Sequence, residues 1–514
     1  MPRANTAGRA TALAAAGIVL STVAAFAAPS GWLALDGSIR SATGAVRDWA
    51  NSGLGGPAGC PAGAVDVGGS GGLFNCGTPS GGPGPPSPPV LTPAAAADPS
   101  IIGSVFIVDP ISGDATSCGT GDPTVLAAGE KNGAAISSYS LITKTTVTPK
   151  DDLSNVYAVS HTRANGHPEL YFAAERLVNN GDSHIDFEFL QDRIGITSAC
   201  SGSFVGHRTE GDLLATVDFT KGGTFDALSL YQWHCFAEPG PQPPDGTVCA
   251  PPDASPPQHY QPIGTPPSIF FLVNAATVPC GGWVCRDTIT GNSTQVASND
   301  FMEGGIDLQG LPFTGCFNTF LPHTREAQPF TANLVDFTGP APLASCRNPT
   351  SSSTSTGAGG SVAPGATVTD NATLSSPAGF APTGSLSFFL CVPAVPAQVT
   401  AAGCPSPNGV QVGAAKTLSA GSATSDPTSN TPASGRYCWR TEYVPDALSQ
   451  GVYLAASHTD ATSECFTVAP TPGSNTPGLP SAGTPPDPGR APLTLLWLVA
   501  VAGLAAASWV WRRR

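Results

Sequence analysis

The sequence predicts an all-β protein with two sandwich units, a larger jelly-roll or antiparallel sandwich and a smaller one, joined by disordered linkers rich in Pro and Gly. Short alternating runs with many β-branched and aromatic residues recur between turn signals such as Asn165-Gly166 and Lys221-Gly222-Gly223. These runs lack the period of a long amphipathic helix. The chain is 41% hydrophobic and 11% charged, so its central part can bury a core despite 60 Gly and 52 Pro.

Residues 1–27 have the pattern of a secretory signal peptide. Arg3 and Arg9 form a positive n-region, an apolar run covers residues 11–26, and Ala25-Phe26-Ala27 forms an A-x-A cleavage site. The mature chain is therefore predicted to begin after Ala27. An uncleaved N-terminal helix is the alternative, and the apolar run is short for a membrane span.

Residues 28–99 are predicted to be partly disordered, with an edge strand within Leu33–Trp49. The larger sandwich follows at residues 100–348. Its Pro-rich insertion at residues 237–267 is expected to decorate a loop, because β-patterned sequence resumes after it. The strand candidates are Asn155–Arg163, Glu169–Leu177, His184–Leu190, Leu213–Phe219, Leu228–Trp233, Ser268–Val273 and Ala332–Phe337.

Residues 349–360, rich in Ser, Thr and Gly, are predicted to be a linker before the smaller unit at residues 361–468. A length of about 100 residues and the turn spacing favour an immunoglobulin-like fold. Tyr437, Trp439 and Tyr443 share one face of a strand, where a core stripe is favoured over an aromatic ligand platform. The strand candidates are Ser385–Val392, Val410–Leu418, Arg436–Tyr443 and Glu464–Val468.

Several runs resemble a known kind of protein. KDDLSNVYAVSHT, GHPELYFAAERLVNNGDSHIDFEFLQ, GDLLATVDFTKGGTFDALSLYQW, FMEGGIDLQGL and GCFNTFLPHTREAQ resemble an uncharacterised family of exported surface proteins from GC-rich bacteria. TGSLSFFLC, GRYCWRTEY and ASHTDATSECFTV are similar to the bacterial immunoglobulin-like repeat that often follows it. The resemblance implies the architecture of an exported surface protein and no particular biochemical activity.

The C-terminal end has the pattern of a membrane anchor. Residues 469–490 are rich in Pro and Gly and are predicted to form an extended stalk. Residues 493–511 carry no charge and are numerous enough to cross a bilayer as a helix, with Arg512-Arg513-Arg514 as a cytoplasmic basic tail. This topology places nearly the whole chain on the extracellular face of the cell envelope.

A short segment before the anchor resembles a sortase sorting signal of the L-P-x-T-G type. It consists of Leu479, Pro480, Ser481, Ala482 and Gly483, and it is followed by a spacer, the apolar span and the Arg tail. A sortase attacks the carbonyl of the fourth residue, which is Ala here where the signal has Thr. Two outcomes stay open: linkage to the cell wall by a sortase, or retention by the C-terminal helix.

Residues 28–490 carry all 36 acidic and 17 of the 22 basic side chains, a formal charge of −19. This charge argues against nucleic acid as a partner, because phosphate binding needs clustered Lys and Arg. All 14 Cys lie in the same region, and in an exported protein an even number favours disulfides over metal ligands. The predicted pairs are Cys391–Cys404 and Cys438–Cys465 in the smaller unit, and Cys316–Cys346 and Cys280–Cys285 in the larger one.

One stretch, residues 184–189, has a catalytic pattern. Strand alternation puts His184, Asp186 and Glu188 on one face. The stretch resembles the E-[IL]-D-x-E strand of a jelly-roll glycoside hydrolase family, whose two glutamates act as nucleophile and general acid. His184 takes the place of the nucleophile and cannot form the usual glycosyl ester. A solvated polar strand face is therefore favoured over a hydrolase that uses Asp186 and Glu188.

No metal site is predicted from the spacing of Cys and His. The loop of Asn179, Asn180, Gly181 and Asp182, with Asp186 nearby, could offer oxygen ligands to Ca²⁺, although a turn explains the same residues at least as well. The expected cofactor is therefore none, with Ca²⁺ at this loop as the alternative.

The two terminal signals and the β-rich central part favour a non-enzymatic protein anchored at the cell surface. Adhesion, binding of a surface glycan or protein, and envelope structure are the expected roles. The alternative is a surface glycoside hydrolase that uses Asp186 and Glu188. Burial of these carboxylates away from a cleft would count against that enzyme, whereas a groove with aromatic rings and a third carboxylate would favour it.

Overall fold

The computed structural model is nearly all β, as the sequence predicts, and its large sheets are antiparallel apart from one short parallel pair at residues 361–362 and 467–468. Each strand candidate overlaps an observed strand, although the candidate Val410–Leu418 is divided into two short strands. The structure describes residues 31–40, 47–50, 72–75, 85–127, 129–236, 242, 243, 245, 247–249, 259–264, 269–280, 283–287, 295–311, 313, 315–375, 381–393 and 398–470.

The strands of the larger unit are β1 (Ile101–Val108), β2 (Ala115–Thr116), β3 (Gly119–Thr120), β4 (Asp122–Leu126), β5 (Leu141–Lys144), β6 (Leu153–Thr162), β7 (Pro168–Arg176), β8 (Ser183–Leu190), β9 (Gly195–Ile196), β10 (Phe204–Val205), β11 (Leu213–Thr220), β12 (Thr224–Trp233), β13 (Tyr260–Gly264), β14 (Ile269–Val273), β15 (Val278–Pro279), β16 (Gln295–Val296), β17 (Phe301–Asp307), β18 (Thr319–Arg325), β19 (Leu334–Phe337) and β20 (Ala341–Pro342).

The strands of the smaller unit are β21 (Thr350–Ser355), β22 (Ser361–Val362), β23 (Asp370–Ser375), β24 (Gly384–Cys391), β25 (Val410–Gln411), β26 (Lys416–Thr417), β27 (Ser422–Thr424), β28 (Gly435–Pro445), β29 (Ala456–His458) and β30 (Cys465–Val468). Helical elements are short: α1 (Pro93–Ala96) and the 3₁₀ turns Ile136–Ser138, Pro149–Asp151 and Leu308–Gly310. Within the described part of the chain, none of them has the length or apolarity needed to span a bilayer.

Two sheets pack face to face in the larger unit. Sheet A has the order β1-β6-β7-β17-β14, and sheet B has the order β13-β12-β11-β8-β18-β19-β4-β5, with β20 paired to β18. Apolar residues of both sheets form one buried cluster between them. Phe172 of sheet A and Phe187 of sheet B meet there, with their ring centroids 4.7 Å apart. The unit is thus sandwich-like.

Strand alternation determines which side chains enter this core. Along β8, Ile185, Phe187 and Phe189 face sheet A, so the polar residues between them face the opposite side of sheet B. Between β7 and β17, Gly304 makes room for a large ring. A Cβ atom on Gly304 would lie 2.5 Å from Cζ of Phe172.

The outer face of sheet A is covered by the N-terminal region. Leu33, Ile39, Trp49 and Phe74 are buried in a second apolar cluster together with residues of β6 and β7. The predicted edge strand within Leu33–Trp49 is not formed by the residues described there. Isolated β-bridges connect the residues of this region. These residues pack across the face of sheet A and do not extend its edge.

The smaller unit also contains two sheets around one core. β21, β23 and β27 form the first sheet, and β22, β30, β28, β24 and β25 form the second, with β26 and β29 at its sides. Tyr437, Trp439 and Tyr443 are buried in the core between the sheets, which confirms the predicted core stripe.

Two segments predicted as linkers contain strands. Residues 350–355, inside the predicted linker 349–360, form β21 and pair with β23 along their full length. Ser353 and Ser355 of this strand are buried, so a Ser- and Thr-rich composition did not prevent sheet formation. In the Pro-rich insertion 237–267, residues 260–264 form β13 at the edge of sheet B.

Six disulfides connect the cysteines that the structure describes, and none of these cysteines is free. The four predicted pairs are present: Cys280–Cys285, Cys316–Cys346, Cys391–Cys404 and Cys438–Cys465. Two more pairs, Cys118–Cys200 and Cys235–Cys249, were not predicted. Cys438 and Cys465 are opposite residues on the adjacent strands β28 and β30, so their bridge lies within one sheet.

Several predicted segments lie outside the described residues. They are the signal peptide at residues 1–27, the stalk from residue 471 onward, the sorting signal at residues 479–483, the membrane helix at residues 493–511 and the Arg tail.

Candidate functional site

The outer face of sheet B carries the residues predicted to be catalytic. Asp186 and Glu188 of β8 are both fully buried there. Asp186 Oδ2 accepts hydrogen bonds from Arg325 Nε at 2.7 Å and from Asn132 Nδ2 at 2.6 Å. Glu188 Oε1 accepts from Arg208 Nη1 at 2.8 Å. The prediction of a solvated polar face is therefore wrong, because each carboxylate is paired with a buried guanidinium.

The remaining partners complete a closed polar layer. Tyr260 donates its hydroxyl to Glu188 Oε1 at 3.0 Å. His184 Nδ1 lies 2.7 Å from Asp218 Oδ1, which also accepts from Arg325 Nη2 at 3.0 Å. His184 is thus part of a buried hydrogen-bonded layer and does not replace a nucleophile in an open site.

The electrostatics of this layer favour the ionised form of Asp186. Burial alone would raise the pKa of Asp186, but the charges of Arg325 and His323 outweigh it and lower the pKa to about 2. A general acid needs a pKa near the working pH and access to substrate. A surface cavity of about 510 Å³ is lined by Trp32, His161 and Arg163, among others, and does not include Asp186. This geometry gives no support to a hydrolase that uses Asp186 and Glu188.

The loop considered for Ca²⁺ does not converge on one point. Asn179 Nδ2 donates to the Ser298 carbonyl at 2.6 Å, and Asp182 Oδ1 accepts from the Gly222 amide at 3.3 Å. Asp186 is directed to Arg325 instead. The loop is held by neighbouring turns, and its side chains do not assemble a ligand set.

The outer face of sheet A buries acids of a different kind. Glu175 accepts from the indole Nε1 of Trp283 at 2.9 Å and from Asn155 Nδ2 at 2.8 Å. Glu303 accepts from the indole Nε1 of Trp49 at 2.9 Å and from the Gly37 amide at 2.6 Å. No arginine is hydrogen-bonded to either carboxylate among the contacts of the described residues.

Burial therefore dominates the pKa values of these two acids. It raises the pKa of Glu175 to about 7, against hydrogen bonds from Trp283, Asn155 and Tyr157 that lower it. Burial, and next the nearby charge of Asp48, hold the pKa of Glu303 well above its ordinary value. Both groups favour the neutral form, in contrast to Asp186.

A third group of acids was missed by the sequence analysis. Asp109, Asp122, Asp152 and Asp336 each place one carboxylate oxygen within 4.8 Å of the others, and all four side chains are fully buried. We call this group the aspartate cluster. It is the only set of at least three His, Cys, Asp or Glu side chains with metal-site spacing among the described residues.

Strand pairing brings the aspartate cluster together from both sheets. Asp109 follows β1 and Asp152 precedes β6 in sheet A, whereas Asp122 begins β4 and Asp336 lies in β19 of sheet B. β1 and β6 are antiparallel, so the end of one lies beside the start of the other. Asp336 is opposite Val125 in the pairing of β19 with β4. The cluster thus spans the two sheets.

Hydrogen bonds satisfy only part of this cluster. Thr124 Oγ1 donates to Asp109 Oδ1 or to Asp122 Oδ1, at 2.9 Å and 2.5 Å, and the Leu153 amide donates to Asp336 Oδ2 at 2.9 Å. Five carboxylate oxygens of the cluster have no hydrogen-bond partner: Asp109 Oδ2, Asp122 Oδ2, both oxygens of Asp152, and Asp336 Oδ1.

The charge of Arg286 compensates a part of the negative charge of the aspartate cluster. Arg286 Nη1 pairs with Asp114 Oδ2 at 2.6 Å, and Nη2 donates to the carbonyls of Asp109 and Ser154. Its contacts are therefore with Asp114 and with backbone, and it lowers the pKa values in the aspartate cluster only partly.

Burial and mutual repulsion raise the pKa values of the cluster. Burial, followed by the charge of Asp122, raises the pKa of Asp152 to about 8. The Ser112 amide lowers this pKa in part, although its position does not meet the geometry of a hydrogen bond to either carboxylate oxygen. Burial and the neighbouring carboxylates hold the pKa values of Asp109 and Asp336 well above the ordinary value. Such a site can take up protons or a hard cation, for which carboxylate oxygens are the preferred ligands.

No protein-family model matches the chain, and no curated protein matches it.

Proposed function

We propose that the protein is exported and displayed on the extracellular face of the cell envelope as a non-enzymatic module. Its expected role is adhesion, binding of a surface glycan or protein, or envelope structure. The disulfide framework is the observation that carries this proposal: six bridges join the described cysteines, in both sandwich units. Disulfides persist in oxidising compartments and are rare in the cytosol.

The sequence of the two termini supports the same topology. A signal-peptide pattern at residues 1–27 would direct export, and the uncharged run at residues 493–511 would hold the chain in the membrane. Residues 469–490 would separate the sandwich units from the bilayer as a stalk. The acidic exported region makes nucleic acid an unsuitable partner.

Two anchoring modes are proposed for the C-terminus. In the first, a sortase cleaves between Ala482 and Gly483 and links the protein to the cell wall. In the second, the helix at residues 493–511 remains as the anchor. Ala482 in the place of Thr favours the second mode, and the position of the segment before the apolar span favours the first.

The finer fold assignments are part of this proposal. A jelly-roll relation for residues 100–348 is supported by repeated crossings of the chain between sheets A and B, although β6 and β7 are neighbours in one sheet. An immunoglobulin-like relation for residues 361–468 is supported by two sheets around one core. The in-sheet bridge Cys438–Cys465 differs from the inter-sheet bridge of antibody domains.

The cavity at Trp32 is the candidate ligand site for a glycan. Trp32 is half-buried, its ring stacks on His161 with centroids 4.0 Å apart, and Arg47 lies over it at 4.7 Å. Arg163 and Asn165 add polar groups to the lining. Aromatic rings with a few polar groups are common in small-molecule sites.

Fractionation and mass spectrometry test the proposed topology. The protein should be recovered from the envelope without residues 1–27 and with its thiols oxidised. Loss of residues 483–514 would identify sortase cleavage, and their retention would identify the membrane anchor. Recovery of the full-length chain from the cytosol with free thiols would refute export.

A glycan array probes the binding role. Purified protein is compared with a Trp32→Ala variant and with Trp439→Phe, a change in the buried core of the smaller unit, as control. Binding that only Trp32→Ala abolishes supports a glycan site at the cavity. Absence of binding to any sugar would remove the glycan role and leave protein binding or envelope structure.

A further inference from the structure

The aspartate cluster lacks the counter-charge that buried carboxylates require. Asp152 is fully buried, and neither of its oxygens has a hydrogen-bond partner, although the side chain is directed at three other carboxylates. Buried polar atoms are nearly always paired, and a buried charge without compensation is very costly. The unpartnered oxygens of Asp152 therefore point to a ligand that supplies positive charge.

The protein itself supplies little of this charge. The guanidinium of Arg286 contacts Asp114 and two backbone carbonyls, and it makes no hydrogen bond to a carboxylate of the aspartate cluster. Elsewhere in sheet B, the buried charge of Asp186 is compensated by direct contact with the guanidinium of Arg325. The aspartate cluster lacks such a contact within the described residues.

The donor set selects the kind of cation. All ligand atoms are carboxylate oxygens, without the His or Cys that zinc and copper sites use. Ca²⁺ binds six to eight oxygens at 2.3–2.6 Å in flexible geometry, so opposite ligands lie about 5 Å apart. Mg²⁺ demands a tighter octahedron and usually keeps several waters, which a fully buried set of side chains does not favour. Four oxygens within 4.8 Å of one another can all reach one Ca²⁺ ion.

We propose that Asp109, Asp122, Asp152 and Asp336 bind one Ca²⁺ ion that holds sheets A and B together. Two ligands come from each sheet, so the ion would connect the strands β1 and β6 with β4 and β19. Its role is structural, because the cluster is fully buried and no substrate can reach it. Extracellular modules bind Ca²⁺ with dissociation constants of about 10⁻⁴ to 10⁻³ M.

Calcium binding and thermal unfolding of the full-length protein in detergent test this site. Bound Ca²⁺ is first removed with EGTA. Equilibrium dialysis with ⁴⁵Ca²⁺ then measures the number of ions bound per chain. Thermal unfolding measures Tm in EGTA, and in CaCl₂ and MgCl₂ at equal millimolar concentration. The wild-type protein should bind one more Ca²⁺ ion per chain than the Asp152→Asn variant. Its Tm should rise by about 3 °C or more in CaCl₂, and less in MgCl₂.

Asp370→Asn is the matched control. Asp370 is also a fully buried aspartate, burial raises its pKa to about 7, and it accepts from Ser353 Oγ at 2.7 Å in the smaller unit. This variant should keep the Ca²⁺-dependent rise in Tm. Asp152→Asn should lose that rise and should be at least as stable as wild type in EGTA, because it removes one uncompensated charge.

Equal Ca²⁺ binding by wild type and Asp152→Asn, or an unchanged wild-type Tm in CaCl₂, would overturn the proposal. An equal rise in MgCl₂ would overturn the assignment to Ca²⁺. If Asp152→Asn does not fold, Asp122→Asn takes its place and is compared with wild type by equilibrium dialysis against millimolar ⁴⁵CaCl₂: one additional Ca²⁺ per wild-type chain supports the site and equal binding refutes it. The export proposal rests on other observations and survives a negative result.

Discussion

The two outer faces of the larger sandwich bury the same kind of side chain and stabilise it differently. On sheet B, Asp186 and Glu188 each contact a guanidinium. On sheet A, Glu175 and Glu303 each accept a hydrogen bond from an indole N–H, and no arginine bonds to them among the described contacts. All four carboxylates are fully buried, so exposure does not distinguish them.

This contrast shows that the partner of a buried acid decides its protonation state. A guanidinium carries a full charge and offsets the desolvation of a carboxylate, whereas an indole N–H is a neutral dipole. The pKa of Asp186 is therefore lowered to about 2, and that of Glu175 is raised to about 7. Asp186 on sheet B is thus held in the ionised form, whereas burial raises the pKa values of Glu175 and Glu303 on sheet A. A third buried acid of sheet A, Glu169, is paired with Arg163, so the partner and not the sheet makes the difference.

Removal of an arginine from sheet B should give the largest effect. Arg325→Met would leave Asp186 buried without its charged partner and would take a second contact from Asp218. We expect the free energy of unfolding to fall by about 3–5 kcal/mol, as for other broken buried ion pairs. Urea unfolding followed by tryptophan fluorescence, with the disulfides intact, measures this loss.

The matching change on sheet A is Trp49→Phe, which removes the donor to Glu303. Its cost should be about 1 kcal/mol, the usual contribution of one hydrogen bond, because the carboxyl group can stay neutral. Equal losses for Arg325→Met and Trp49→Phe would show that the two faces do not differ in this way.

A change of charge at Glu175 should alter the pH dependence of stability. The pKa of Glu175 is higher in the folded chain, about 7, than its ordinary value of 4.5, so the folded state binds more protons between these pH values. Stability is therefore lost as pH rises through this window and stays reduced above it. Glu175→Gln cannot ionise, and its stability relative to wild type should increase by up to about 3 kcal/mol between pH 4.5 and pH 8.

The comparison variant is Glu188→Gln on sheet B, measured by urea unfolding at the same pH values. It would leave Arg208 without its carboxylate partner and should destabilise the protein instead of stabilising it. A wild-type-like pH profile for Glu175→Gln would show that Glu175 is ionised in the folded state at neutral pH.

The strands and the residues on each of their faces could be predicted from the sequence, because the alternation of apolar and polar residues is a local signal. The run at residues 184–190 predicted that Asp186 and Glu188 share one face of a strand, and β8 has that arrangement. The prediction of a solvated face failed because the covering residues come from distant segments. Arg208 and Tyr260 reach Glu188, and Arg325 reaches Asp186, through pairings that a single sequence does not reveal.

The aspartate cluster was missed for a related reason. Its four residues are well separated in the sequence, each at or near a strand end, and an Asp at such a position is usual for a turn. Only the antiparallel pairing of β1 with β6, and of β4 with β19, brings them together. The same holds for Trp49 and Trp283, which donate to Glu303 and Glu175 from segments that are distant in the sequence.

The smallest expected effect concerns one of these indoles. Trp283→Phe would keep a ring beside Phe106 and Tyr157 but would remove the hydrogen bond to Glu175 Oε1. Because this bond lowers the pKa of Glu175, its loss should raise that pKa further, and the decline in stability should continue to higher pH. The cost should be about 1 kcal/mol at pH 8 and smaller at pH 5, where the carboxyl group is neutral in both proteins.

Trp233→Phe on the side of sheet B is the control for this experiment. The indole of Trp233 donates to the disulfide sulfur of Cys249 at 3.2 Å, and this acceptor does not titrate. Its loss in unfolding free energy should therefore be the same at pH 5 and pH 8. If the loss for Trp283→Phe is also independent of pH, the indole of Trp283 stabilises sheet A only by packing. The inference that the hydrogen bond from this indole affects the pKa of Glu175 would then be wrong.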